Sequence, residues 1–141
     1  MISTKGRYAI RVLVDIAEQD RGGYAPLRDV AARQGMSENY LQRIARLLVD
    51  AGILVGVSGK GGGYRLARPA SECTVLEVLE AAEGTLACVA CLVPGAEVCE
   101  RAHRCETVGM WKRFDETVRA FFGGITVADL VVEGEGRDND E

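Results

Sequence analysis

Two short amphipathic segments meet at Gln34-Gly35-Met36, and two strand-like runs flank a glycine-rich stretch from Ser58 to Gly63. In that order they predict a mainly α fold, a winged helix-turn-helix domain with a two-stranded wing. A long apolar helix far downstream adds a second feature, a dimerisation helix.

The first element is a helix over residues 5–19. Tyr8, Val12 and Ile16 form one stripe, widened by Ala9, Leu13 and Ala17, and Thr4 is placed to cap it. Lys5, Arg7 and Arg11 gather at its start, either as phosphate contacts or as an ordinary solvated face. Residues 20–25 form a loop, and Pro26 stands at the first position of the next helix. In that helix Leu27, Val30 and Ala31 share a face, and Gly35 supplies the backbone freedom the turn needs.

Ser37 is the expected N-cap of the second helix of the pair. Leu41, Ile44, Ala45, Leu48 and Val49 are its apolar stripe. With Ser37, its early turns carry the candidate DNA contacts Glu38, Asn39, Tyr40, Gln42 and Arg43, and the Asn, Gln and Arg side chains among them can reach base edges in a major groove. Gly52 ends the helix, and strands follow over residues 53–57 and 64–66. Lys60 and Gly61 sit at the tip between them, where a bare backbone can approach phosphate or enter a minor groove. A plain helical hairpin is the bland alternative. A phosphate-binding loop is excluded by context, because its Gly-Lys-Ser/Thr must open a helix and these glycines join two strands.

Thr74 caps a helix reaching about residue 83, with Glu77, Glu80 and Glu83 on its outward face and Gly84 as its stop. Residues 85–106 have no period of 2 or 3.6 and hold four of the five cysteines and the single histidine. A long helix over residues 107–122 follows. Trp111, Phe114, Val118 and Phe121 recur at steps of three and four along it, and pairing with a second copy of the chain gives them a burial site. Thr126 caps a short helix over residues 127–132, and residues 133–141 read as an acidic disordered tail.

The 141 residues suit one compact domain with an appendage, and 48% hydrophobic composition lets it fold. No run of 18 apolar residues exists, and the first residues lack a signal-peptide core, so a cytoplasmic protein is expected. The net charge of −4 conceals an asymmetry: 11 Lys/Arg face 6 Asp/Glu over residues 1–70, and 6 face 15 over residues 71–141. A basic first half joined to an acidic second half fits a DNA reader with an appended control region.

Cys88, Cys91, Cys99 and Cys105 read C-x2-C-x7-C-x5-C. Thiolates gathered in one loop can hold zinc or an iron–sulfur cluster. Structural zinc sites usually pair two C-x2-C knuckles, and only one is present. Nucleophilic catalysis lacks a base other than His103, and a thioredoxin-like role lacks the parallel-sheet context, so no enzyme is expected. Cys73 lies outside the set and reads as a small buried residue.

TKGRYAIRVLVDIA near the start, SENYLQRIARLLVDAGILVGVSGKGGGYRLAR across the second helix and wing, the downstream cysteines, MW and ITVADLV together resemble the Rrf-two family of bacterial winged-helix transcription regulators, the group that includes IscR, NsrR and CymR. The resemblance runs from about residue 2 to residue 132. It implies that the helix after the cysteine loop dimerises, and that Cys91, Cys99 and Cys105 bind a 2Fe–2S or 4Fe–4S cluster with a fourth ligand that varies within the family. Family positions that supply the fourth ligand correspond here to Val108 and Tyr8, neither of them a ligand. Cys88, His103 and a residue of the partner chain stand as candidates. Ser58 replaces an arginine common in family wings.

The expectation is therefore a dimeric regulator of double-stranded DNA that reads a near-palindromic operator. Residues 1–83 form the DNA-binding domain, residues 84–106 the cluster loop, and residues 107–132 the dimerisation helix with its short terminal helix. Its cofactor is an iron–sulfur cluster, with zinc as the alternative.

Overall fold

The computed structural model describes residues 2–20 and 22–138. Its helices are α1 (Thr4–Glu18), α2 (Leu27–Gln34), α3 (Glu38–Asp50), α4 (Val75–Glu83), α5 (Val108–Gly123) and α6 (Val127–Asp138). Strands β1 (Leu54–Val57) and β2 (Gly63–Leu66) follow α3. Among the described residues no helix is long and apolar enough to cross a membrane.

The expected helix-turn-helix forms for the expected reasons. Gly35 closes α2 at φ 65°, and the Ser37 hydroxyl accepts the Tyr40 backbone N–H at the start of α3. Leu41, Ile44, Ala45 and Leu48 of α3 are fully buried against Ala9, Val12 and Leu13 of α1, Val30 of α2 and Val78 of α4. Each large side chain in such a core contributes about 1.5–3 kcal/mol over its exposed state. Cys73 is buried in the same core, 1% exposed, and the burial pushes its thiol pKa up, with the nearby Glu77 adding to the effect.

The wing is a short antiparallel pair with Leu54 opposite Leu66 and Val57 opposite Gly63. It does not hang free. Ala25, just before α2, pairs with Tyr64 through two backbone hydrogen bonds of 2.8 and 2.9 Å, which gives the sheet the order β1, β2, Ala25. Gly63 sits at φ 146° beneath that pair, and a Cβ there would run into the Ala25 carbonyl.

Several expectations change. Glu77, Glu80 and Glu83 do not simply face solvent. Glu77 pairs with Arg68 at 2.8 Å, and Glu80 lies 2.8 Å from Arg119 of α5 as a close ion pair without hydrogen-bond alignment. Glu83 reaches across to the start of α1, where one carboxylate oxygen accepts from the Ser3 backbone N–H and hydroxyl at 2.7 Å each and from the Gly6 N–H at 3.1 Å. The first helix is thus capped from α4 and not by Thr4. Burial pushes the Glu83 carboxyl up, but the Ser3 and Gly6 hydrogen bonds and the Lys5 charge outweigh it and hold it below its ordinary value. Gly6 leaves room for this contact, since a Cβ there would displace the Glu83 carboxylate.

The acidic tail is also corrected. Helix α6 continues to Asp138 and does not stop at Val132, so residues 133–138 are helical, and the rest of that expectation, residues 139–141, lies outside the described residues. The terminal helix packs back on α1, and Val127 is fully buried in the main core, so tertiary contact extends a helix whose glycines argue against it. A capping box starts it: the Thr126 N–H donates to Asp129 and the Asp129 N–H to the Thr126 hydroxyl.

Candidate nucleic-acid interface and cysteine loop

The exposed face of α3 and the β1 edge of the wing enclose a groove of about 750 Å3. Asn39, Gln42 and Arg43 line it from the helix, and Val57, Ser58 and Tyr64 from the wing. Arg46 lies on the same face, one helical turn past Arg43, and sequence reasoning missed it. The signal was available, because Asn39, Gln42, Arg43 and Arg46 fall at i, i+3, i+4 and i+7 on the polar side. Ser37 and Glu38 are exposed at the mouth of the helix.

Tyr40 does not line the groove. Its ring packs edge-on against Tyr8 at 5.9 Å and joins the core, so it braces α3 on α1. Lys60 and Gly61 lie away from the groove as well, on the other edge of the wing beside Tyr24 and Arg28.

A polar network ties α1 to the end of α2, just before α3. Asp15 of α1 is 2% exposed and receives a two-nitrogen grip from Arg33, closest at 2.7 Å, plus the Gln34 amide at 2.9 Å. That hydrogen bond, helped by the opposite charge, raises the Arg33 pKa despite some burial. Arg11 donates to the Gln34 side chain and carbonyl and lies 5.0 Å from the centre of the Tyr8 ring. Arg7 donates to Thr4. Arg11 is therefore committed to holding the turn between α2 and α3.

In the loop, Cys91, Cys99 and Cys105 line one cavity of about 250 Å3, together with Glu97 and, from α5, Lys112. Cys91 and Cys99 are exposed. The Cys105 thiol lies 3.4 Å from the Thr107 hydroxyl, and hydrogen bonds from Thr107 pull its pKa below the ordinary thiol value, aided by Arg101. Cys88 is parted from these three. Its sulfur sits 4.0 Å from the Trp111 carbonyl and lines a separate apolar cavity with Ile2, Leu86, Phe114, Val118 and Phe122. The cause is local: Val89 is extended, at φ −136° and ψ 150°, and the following short 3-10 turn Ala90–Leu92 carries Cys91 away. His103 is exposed and lines neither cavity.

Three soft thiols around one cavity suit iron or an iron–sulfur cluster in donor chemistry. Among the described residues no three of His, Cys, Asp and Glu stand close enough to hold a single metal ion.

Helix α5 has no buried residue. Phe114 is 44% and Phe121 63% exposed, while Trp111 and Val118 are half-buried. Such an apolar stripe on a long helix is unusual for a chain that stands alone.

The geometry agrees with the comparisons. A family model described as "Iron-dependent Transcriptional regulator", Rrf2, matches residues 2–133. The chain is 35% identical over 137 residues to the HTH-type transcriptional regulator IscR of Xenorhabdus nematophila, covering 97% of this chain and 82% of that one. Its structure is similar to that of CymR, the global cysteine regulator of B. subtilis, at TM-score 0.78 and 27% identity over 94% of this chain and 97% of that one. It is also similar to T. potens IscR, at TM-score 0.76 and 27% identity over 97% and 90%. With these matches spanning nearly its whole length, the chain belongs to the Rrf2 family of transcriptional regulators.

Proposed function

We propose that this regulator acts in the cytoplasm as a homodimer, that it reads a near-palindromic operator, and that an iron–sulfur cluster on its cysteine loop tunes it. The observation that carries the cluster reading is the single cavity shared by Cys91, Cys99 and Cys105, supported by the likeness to regulators named IscR. No comparison supports zinc. Those three thiolates would hold the cluster, and Cys88 would join them only if Val89 left its extended conformation. The bound group would supply sensitivity to oxidants and to iron supply. The chain's own part is to order residues 84–106, which lie between the DNA-reading head and α5.

Anaerobic purification with iron and sulfide analysis tests this. The wild type should be brown, and Cys91→Ala, Cys99→Ala and Cys105→Ala should each lose the colour and the iron. Cys88→Ala should shift the spectrum if the loop closes that far, and leave it unchanged if Cys88 keeps its place beside Trp111. A colourless wild type would instead support a second reading favoured by the open spacing of the thiols: a regulator of the same fold that acts through a protein partner or a bare thiol site.

Operator contacts are assigned to Asn39, Gln42 and Arg43 in the groove, at whose mouth Ser37 and Glu38 stand, and to Lys60 and Gly61 at the wing tip. Arg43→Ala should weaken operator binding by about 1–3 kcal/mol if the guanidinium grips a base edge. Unchanged affinity at fixed salt in Gln42→Ala, Arg43→Ala and Lys60→Ala would remove the assignment.

Dimerisation is assigned to α5 through Trp111, Phe114, Val118 and Phe121. Sedimentation at micromolar concentration should show a dimer for the wild type and a monomer for Phe114→Asp/Phe121→Asp. A monomeric wild type would end the proposal.

A further inference from the structure

The wing has two unlike edges, and each opens onto a cleft. The β1 edge faces α3 across the groove lined by Arg43 and Arg46. The opposite edge, where Ala25 pairs with Tyr64, borders a second cleft of about 460 Å3. Tyr24, Pro26 and Arg28 form one wall of it, and the tip from Gly59 to Gly62, with Lys60, forms the other. Among the described residues two cations line this cleft and no carboxylate does.

Its walls are built to face something. Arg28 is 79% exposed along its side chain, and its one ion pair among the described residues, with Asp29 at 3.8 Å, is too long for a hydrogen bond. Gly59 and Gly61 adopt φ 90° and 76°, and a Cβ on either would meet no atom within 4 Å. The tip is therefore bare on its outside, where a second backbone can approach closely. The Ala25–Tyr64 hydrogen bonds hold the wing at a set distance from the start of α2. The Arg65 guanidinium lies 5.1 Å from the centre of the Tyr24 ring and fixes that wall.

A duplex with α3 in its major groove and the wing in the adjacent minor groove has one sugar–phosphate strand between them. In that docking the intervening strand would run along the groove beside Arg43 and Arg46. The minor groove is only about 6 Å wide, so its second strand must run along the other side of the wing. We propose that the cleft between Arg28 and Lys60 receives this second strand, with both cations on its phosphates. The proposal rests on the DNA-binding reading above. The wing is then gripped between both strands, and Arg28 is a positioning contact that carries no base information.

The test measures affinity across a salt series for the full chain, on duplexes selected by the wild type from a random-sequence pool and on unselected duplexes of equal length. Arg28→Ala and Lys60→Ala should each flatten the slope of log affinity against log salt by about 0.9. Both should weaken selected and unselected DNA by the same factor, and phosphate-ethylation interference should vanish at one position on the far strand of the minor groove. Thermal melting should be unchanged for Arg28→Ala, because the side chain is exposed. If Arg28→Ala leaves the slope and the interference pattern intact while Arg43→Ala weakens binding, the second cleft holds no DNA and the proposal fails alone. If Arg43→Ala also has no effect, the DNA-binding reading fails with it.

Discussion

Gly63→Ala should detach the wing and lower operator affinity by at least tenfold, while the helical core stays folded. The residue stands at φ 146°, where an L side chain is strained, and its Cβ would collide with the Ala25 carbonyl and the Pro26 nitrogen. Those atoms cannot yield cheaply, because Ala25 is held by two hydrogen bonds to Tyr64 and Pro26 begins the turn into α2. Backbone strain of about 1–3 kcal/mol then opposes the tip end of a short two-stranded sheet, whose other end is anchored in the core by Leu54. The escape is for β2 to leave Ala25. Amide hydrogen exchange should show lost protection at Tyr64 and Ala25 with the α3 amides unaffected. Gly59→Ala is the control, since it carries a positive φ but meets no neighbour. Equal effects of the two substitutions would refute the collision.

Asp15→Ala should cost about 3 kcal/mol of stability, near the low end for removing one partner of a buried ion pair. The low end applies because the Arg33 side chain is 38% exposed and can turn to water, whereas Asp15 cannot. Gln34 loses an acceptor as well, which loosens the turn that Arg11 also grips. Urea titration should show the midpoint fall with little change in slope, and Arg33→Ala should cost less than Asp15→Ala. A loss below about 1 kcal/mol would mean that hydrophobic packing alone sets the α1–α2 geometry.

The helix-turn-helix was legible because several local signals agree. The stripe of Leu41, Ile44, Ala45 and Leu48, the cap at Ser37 and the turn at Gly35 each state the same boundaries. What stayed hidden depends on contacts between distant segments. Tyr40 stands in sequence among the candidate DNA contacts, and only the approach of α1 shows that its ring packs on Tyr8. Nothing local in the sequence marks Asp15, whose partners Arg33 and Gln34 lie 18 and 19 residues away. Glycines 134 and 136 argued against helix, and packing on α1 overrode them. In the loop, the close spacing of Cys88 and Cys91 implied a shared site, but one extended residue between them turns the two thiols toward separate cavities.

Glu83 is the last residue of α4, directly before the cysteine loop, and its carboxylate holds the first turn of α1. The other face of α1 holds Gln34 through Arg11. The start of the loop and the turn before α3 are thus both tied to one short helix, at its first turn and at its middle. Residue 84 therefore follows directly on the side chain that fixes the start of α1. Acid acts at the same joint. The folded carboxyl lies below its ordinary value, so the clasp is complete above the usual carboxylate range and opens as pH falls through the depressed one.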